Sequence, residues 1–347
     1  MKRLALKLVS IVNRLTAFIL LTLSCSATAF AQQEDAALSA ARSLLQQGKY
    51  DEAIAQLKGL AARQPALRGV NHELGVAHYR KEEYLEAAKY LQNAWNENPE
   101  DRDAAQLLGL SNYSSGRPAE AIPALERVRS WHPNANIDAI YILGLCYVMT
   151  KRYPEARQTF AQLYGVDAES AAAHLLLGRM LLRQGFDPAA ESEIKAALSI
   201  SPQLPLAHLT LGELNVYGGN YLDALHEFDA ELALDPACVP ALTHLGEVYW
   251  RLNRDDDSQK VLRRSISLDS TASEPYIVLG KVLLRVRQSE LAEKNLLRAL
   301  SLDPGSYAAH YFLGQIYRNL GKVEAAEREM KAAARIQQLQ GSDPGRN

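Results

Sequence analysis

Histidines and carboxylates are the first residues to test for chemistry. His72-Glu73 and His78 share a short stretch, but a zinc hydrolase needs His-Glu-x-x-His, with two histidines four apart on one helix face. His72 and His78 are six apart and do not stack. His174, His208 and His310 lie at multiples of 34 residues. A common position in successive units argues for a repeated structural role, since packed elements hold equivalent atoms about 10 Å apart, too far for one metal ion. The run Asp255-Asp256-Asp257 offers either a weak calcium site or the acidic first turn of a helix, and the helix explains it better. No Gly-x-Ser-x-Gly elbow or Walker loop is present. Asn112-Tyr113-Ser114 matches a glycosylation sequon, but its neighbours read as helix. The residues point to no enzyme, no cofactor and no metal.

Composition narrows the classes further. Hydrophobic residues make up 48% of the 347 and charged residues 22%, as in a folded protein. Ala and Leu dominate, which favours helix. The formal net charge of −2 supplies no basic field for nucleic acid. Three cysteines, Cys25, Cys146 and Cys238, are too few for a disulfide scaffold.

The first residues read as a targeting segment. Lys2, Arg3, Lys7 and Arg14 precede the apolar run Leu15–Leu23, and Ala29-Phe30-Ala31 follows. This order is that of a secretory signal peptide over residues 1–31, cleaved after Ala31. The apolar run is about half a membrane span. Cleavage would take the formal charge from −2 to −6. A lipid anchor on Cys25 is the alternative, but Leu23 stands where lipoprotein signals carry a small residue. Export would place Cys146 and Cys238 in an oxidising compartment, where each is expected to be a free, buried apolar residue.

Everything after this segment is periodic. Leu-Gly recurs at Leu74-Gly75, Leu108-Gly109, Leu143-Gly144, Leu177-Gly178, Leu211-Gly212, Leu245-Gly246, Leu279-Gly280 and Leu313-Gly314, each 34 residues from the last except for one step of 35. Twelve residues after each glycine stands a small residue, Ala87 through Ala326 with Ser258 the exception. Four further on stands a large apolar one: Leu91, Leu125, Phe160, Ile194, Phe228, Leu262, Leu296 and Met330. Turn residues such as Gly116 and Gly219 divide each unit into a helix A and a helix B. Prolines such as Pro99, Pro202 and Pro304 close many units. A mid-helix glycine costs about 1 kcal/mol relative to alanine, so a recurring one implies close helix contact. The expected partner is the small residue of helix B. A lone hairpin cannot bury both faces, so neighbours must stack.

This spacing resembles the tetratricopeptide repeat across residues 34–340. The resemblance implies an all-α fold, a right-handed α-solenoid of stacked helix-turn-helix repeats. It implies nine units starting near 34, 68, 102, 137, 171, 205, 239, 273 and 307, with a disordered tail at 341–347. The first unit lacks the glycine, the fourth follows an extra residue, and the seventh carries Ser258. These units are expected to stack less regularly.

The resemblance also implies that helix A lines a concave groove through positions 2, 5, 9, 12 and 13 of each unit. Those positions share one helix face. They supply the candidate binding residues Tyr79, Tyr113, Tyr141, Leu145, Met149, Arg179, Leu182, Arg183, Tyr217, Trp250, Arg251, Arg285 and Arg318. The middle of this groove is expected to be apolar and tyrosine-bearing, and Arg285 and Arg318 are expected to be rim charges. Two specialised versions of the repeat, the carboxylate clamp of chaperone partners and the asparagine ladder of sugar-transferring enzymes, lack their defining asparagines here. The implied function is a non-catalytic protein–protein interaction scaffold of the bacterial periplasm or cell envelope. Its partner would be a protein or extended peptide, in an envelope assembly or polysaccharide export complex, with peripheral membrane association possible and no nucleic acid. The alternative is a polysaccharide-binding or synthase and export accessory module, with the tyrosines stacking on sugars.

Overall fold

The structure, a computed structural model, describes residues 36–341 apart from 66, 132–136 and 186. The signal segment 1–31, its Ala31 and Cys25, and the tail beyond Gly341 lie outside the described residues. The chain divides into two compact units between Gly165 and Val166. The first contains α1 (36–46), α2 (Tyr50–Arg63), α3 (Val70–Arg80), α4 (Tyr84–Glu97), α5 (Arg102–Ser114), α6 (Pro118–Trp131), α7 (Ile137–Met149) and α8 (Tyr153–Tyr164). The second contains α9 (Ala171–Arg183), α10 (Asp187–Ile200), α11 (Ala207–Tyr217), α12 (Tyr221–Leu234), α13 (Val239–Arg251), α14 (Asp255–Leu268), α15 (Glu274–Arg285), α16 (Ser289–Leu302), α17 (Tyr307–Asn319) and α18 (Val323–Gly341). No strand occurs among the described residues.

Odd-numbered helices are the A helices and even-numbered ones the B helices. Each B helix packs on its own A helix and on the A helix of the next hairpin within its unit. Successive A helices also touch directly, as α3 touches α5 and α13 touches α15. Successive B helices stand further apart. This is the stacked helix-turn-helix solenoid, in which each hairpin buries the flank its neighbour leaves open.

The three periodic series explain the packing. The large apolar residues of helix B, from Leu91 to Leu296, are essentially inaccessible, and so are most of the small residues twelve after each glycine. The contact of each Leu-Gly glycine differs from the sequence expectation. A Cβ at Gly75 would lie 2.5 Å from Leu91 Cγ, and one at Gly144 would lie 2.5 Å from Phe160 Cε1. The glycine thus receives the large residue sixteen later, not the small one twelve later. The small residue instead lets the backbones approach, as where Ala190 O lies 3.3 Å from a Cβ built at Gly178. Ser258 does not disturb its hairpin: it is fully buried, and its hydroxyl donates to the Gly246 carbonyl at 2.6 Å.

Every A-to-B turn places one residue in left-handed conformation. Glycine takes that place in five turns, and Glu82, Lys151, Asn253 and Arg287 take it at φ of 58–62° in the others. The recurring histidines act as fasteners inside hairpins. Nδ1 of His174, His208 and His310 meets Glu193, Glu227 and Glu329, each nineteen residues on, at 2.7, 2.7 and 2.6 Å. Nε2 of His208 and His310 faces the carbonyls of Pro202 and Pro304. The Asp255-Asp256-Asp257 run forms the first turn of α14, where its charge meets the positive end of the helix.

Candidate binding site

Consecutive A helices expose a strip that the core series leaves uncovered, and two cavities open on it. In the first unit a cavity of about 370 Å³ is lined by Arg42, Leu45, Gln46 and Tyr50 from one hairpin and by Glu73, Val76 and Arg80 from the next. In the second unit a cavity of about 410 Å³ is lined by Glu213, Val216, Tyr217 and Tyr221 from one hairpin and by His244, Glu247 and Arg251 from the next, with Glu274 beyond. The two cavities use the same positions: 9, 12, 13 and 17 of one repeat and 6, 9 and 13 of its successor. Position 17 is the tyrosine that opens helix B.

The same pair of positions spans each cavity with opposite polarity. In the first unit Arg42 Nε donates to Glu73 Oε1 at 2.5 Å, and Glu73 is buried. In the second, Glu213 Oε1 lies 3.3 Å from His244 Nε2. Burial pulls the His244 pKa down, but its hydrogen bond to Glu213 and the charges of Glu213, Glu274 and Glu247 outweigh this and raise it above 6.5. The ring also stacks on Phe228, with centroids 5.7 Å apart. Glu247 is shared by Arg251 at 3.4 Å and Lys281 at 3.5 Å. His244, Arg251 and Lys281 thus meet Glu213 and Glu247, which leaves Glu274 as the lining carboxylate without an ion pair among the described residues.

The candidate residues fall into distinct environments. Tyr217 is 76% exposed at the mouth of the second cavity, and Arg251 lines the same cavity. Tyr79, Tyr113 and Tyr141 are half-buried. Tyr79 meets Tyr84 edge-on at 5.7 Å, and Tyr141 tilts on Phe160 at 5.9 Å. Burial pushes the Tyr113 hydroxyl pKa up, and Cys146 and Tyr141 add to this. Met149 is 41% exposed at the end of α7. Arg179 and Arg183 are exposed on α9 with Leu182 half-buried between them, and Arg318 is exposed on α17.

Two candidates must be reassigned. Leu145 is only 7% exposed, because α7 is apolar almost all round and buried along most of its length. It belongs to the core and offers a ligand nothing. Arg285 is not a free rim charge. Its Nε donates to Asp255 at 3.0 Å, its Nη1 donates to Asn253 at 3.1 Å, and its guanidinium lies 5.1 Å from the Trp250 ring. Arg251 and Lys281 flank the same ring at 5.3 and 5.4 Å. Arg285 therefore clasps α15 to the head of α14. Around Tyr217, at the C-terminal end of the expected apolar middle, the lining is polar, with Glu213, His244, Glu247, Arg251 and Glu274.

Sequence reasoning missed Tyr50 and Tyr221 as lining residues. Their signal was the recurrence of tyrosine at the head of helix B, at Tyr50, Tyr84, Tyr153 and Tyr221. Cys146 and Cys238 are free and buried, and burial pushes the Cys146 thiol up to about 12. Among the described residues, no group of three His, Cys, Asp or Glu could hold a metal ion, and no helix is long and apolar enough to cross a membrane.

Comparison with known proteins gives one family. Two models of the tetratricopeptide repeat match, one over residues 112–180 and the other over 38–95, 72–136, 209–273 and 277–343. No curated protein matches. Among solved structures, a chain of the APC/C hetero-tetramer Cut9-Hcn1 is 15% identical over 81% of this chain and 55% of its own, with a TM-score of 0.44. This chain thus spans about half the length of that one. MamA is 22% identical over 47% of this chain and 96% of its own, with a TM-score of 0.41. YrrB, described as a TPR protein with an unusual peptide-binding site, is 21% identical over 53% of this chain and 93% of its own, also at 0.41.

Proposed function

Because the chain belongs to the tetratricopeptide repeat family, we propose that it is an exported scaffold of the bacterial periplasm or cell envelope, holding an extended protein segment along its A-helix face. A non-catalytic, protein-binding role is the part that family membership carries. Export rests on the charged, apolar, Ala-Phe-Ala order of residues 1–31.

The recurring inter-repeat cavity is the observation that supports the binding reading. Its positions are fixed by the repeat, its walls differ in charge, and it occurs in both compact units. A segment lying along the A helices of either unit would place a side chain into that unit's cavity. The acceptor-rich cavity around Glu213, Glu247 and Glu274 suits a lysine or arginine of the partner, with Tyr217 and Tyr221 covering its aliphatic stem.

A polysaccharide ligand is less well served. Sugar stacking needs open ring faces along one track, whereas Tyr79 packs on Tyr84 and Tyr141 packs on Phe160. Of the groove tyrosines considered, only Tyr217 stands largely free.

The test combines location and contact. N-terminal sequencing of protein from the native host should begin near Gln32, and fractionation should find it outside the cytoplasm. A photo-crosslinking residue at Tyr217 should give protein adducts that one at Lys195, on the outer helix α10, does not. Truncating a buried aromatic anchor typically costs about 2 kcal/mol or more in a genuine interface, so Tyr217→Ala should weaken capture of the crosslinked partner without changing the melting temperature. Equal adducts from both positions would remove the A-helix face from the reading.

A further inference from the structure

The opposite face of the second unit carries a groove of a different kind. The B helices α14 and α16 stand apart over α15, and between them lies a cavity of about 480 Å³. Its floor is apolar: Tyr276, Leu279 and Leu283 of α15, with Ile266 of α14 and Leu291 of α16 on the walls. Leu279 and Leu283 are 4% and 2% exposed and belong to the core, so the apolar surface open to a ligand is that of the half-buried Ile266 and Tyr276 and of Leu291, 48% exposed at the edge. The remaining lining consists of Arg263, Lys294, Asn295 and Arg298. No acidic side chain lines it.

The charge around this groove is uncompensated. Several cations elsewhere in the unit find carboxylates: Arg254 meets Asp257 at 2.7 Å, Lys281 meets Glu247 at 3.5 Å, and Lys322 meets Glu293 at 3.5 Å. Arg263 instead donates to the Gln259 amide oxygen at 3.0 Å, and Arg298 donates to the Ser270 carbonyl at 3.3 Å. Among the described residues, no carboxylate comes within ion-pair distance of Arg263, Lys294 or Arg298. Lys260 and Arg264 extend the patch along α14, with Arg264 bonded only to the Pro236 carbonyl. All this lies on a chain whose formal charge is negative.

The equivalent groove in the first unit serves as an internal comparison. It lies between α4 and α6 over α5 and is lined by Lys89 and Arg117. There Lys89 has Glu86 at 3.9 Å and Arg117 has Glu120 at 3.0 Å. Its lining also includes the polar side chain of Asn112. The repeat architecture alone therefore produces a groove, but not one with an apolar floor and unpaired basic walls.

We propose that the α14–α16 groove is a second docking site, which seats the apolar stripe of an acidic amphipathic helix from a partner protein. Ile266, Tyr276 and Leu291 line a valley between the ridges of α14 and α16, the seat into which a third helix lays one face. Glutamates or aspartates flanking that stripe would meet Arg263, Lys294 and Arg298. A bilayer is a poorer fit, because a flat surface reaches Leu291 but not the half-buried Ile266 and Tyr276 between the ridges. The site is independent of the A-helix cavities, so the chain would join two partners on opposite faces of one unit.

The experiment uses the full chain and two fluorescent synthetic helical peptides. One carries leucines at i, i+3, i+4 and i+7 flanked by glutamates, and its twin carries lysines in place of every glutamate. The glutamate peptide is expected to bind at least about tenfold more tightly than the lysine twin. In a Lys294→Glu/Arg298→Glu variant, whose substitutions are exposed and whose fold is checked by circular dichroism, the preference should reverse. Tyr217→Ala should leave glutamate-peptide binding unchanged, which separates this site from the A-helix reading. Absence of saturable binding, or a preference that survives the charge reversal, would overturn the proposal. So would Lys294- and Arg298-dependent sedimentation with phosphatidylglycerol vesicles that the glutamate peptide fails to displace, which would make the face a membrane contact.

Discussion

Replacing Gly212 by alanine isolates the contact that sets the spacing of a hairpin. Two effects oppose each other. Alanine in a helix interior is favoured over glycine by about 1 kcal/mol. Against this, the new Cβ would lie 2.5, 2.7 and 2.9 Å from Cε1, Cδ1 and Cζ of Phe228. Carbon atoms pack at about 3.5–4.0 Å, so the ring must move by most of an ångström. Phe228 is fully buried and rigid, and such overpacking costs about 1–3 kcal/mol, occasionally more. Gly212→Ala should therefore be destabilising by up to about 2 kcal/mol net. Gly314 supplies the contrast. The three atoms nearest its Cβ would all belong to Met330, with Cγ at 3.1 Å and Sδ and Cε at 3.3 Å, and a flexible thioether can yield. Gly314→Ala should stay within about 0.5 kcal/mol of wild type. At about 2–4 °C per kcal/mol, thermal melts followed by circular dichroism resolve the difference. In a Phe228→Ala background the clash disappears and Gly212→Ala should become stabilising. If Gly212→Ala melts at or above wild type, or Gly314→Ala is the more damaging change, glycine is not retained for the approach of the large helix-B residue.

Arg287 holds a left-handed turn conformation that five other turns give to glycine, so Arg287→Gly should stabilise the chain by about 1 kcal/mol, read as a higher melting temperature. Arg285→Ala breaks the clasp to Asp255 and Asn253 and should cost about 1 kcal/mol, with the loss shrinking at high salt; an unchanged melt would return Arg285 to the rim. His244 has a folded pKa above its unfolded value of 6.5, so its stabilising contribution is complete below about pH 6.5 and fades as pH rises through the higher folded value. The stability gap between wild type and His244→Gln should accordingly narrow from pH 6 to pH 9, and a gap that stays constant would sink the Glu213 pairing.

The sequence made the helical hairpins legible because their packing demands repeat. Leu-Gly, the small residue and the large residue each recur in register, and each does so for a reason that survives without coordinates. What the spacing could not disclose was direction. Both Ala224 and Phe228 are candidates to face Gly212, and only the relative rotation of α11 and α12 gives the place to Phe228. The histidines were recognisable as a structural series, but their glutamates nineteen residues on became partners only once helix B was set beside helix A. Leu145 looked like a groove residue because position 9 is half-exposed or exposed in the neighbouring hairpins, and α7 departs by being apolar on nearly every side. The cavities were hardest to see, since each is assembled from residues of two hairpins about 34 positions apart.

That division of each cavity between two hairpins has an evolutionary consequence. A repeat carries the back half of one cavity and the front half of another, so no single repeat encodes a specificity. Duplicating, deleting or exchanging a hairpin creates a new junction, and with it a pairing of half-sites that existed nowhere before. Arg42 against Glu73 and Glu213 against His244 are two such pairings on one scaffold. Because neighbouring repeats dock mainly through the buried apolar series, recombination can diversify what the chain recognises while most of the interface that holds it folded stays the same.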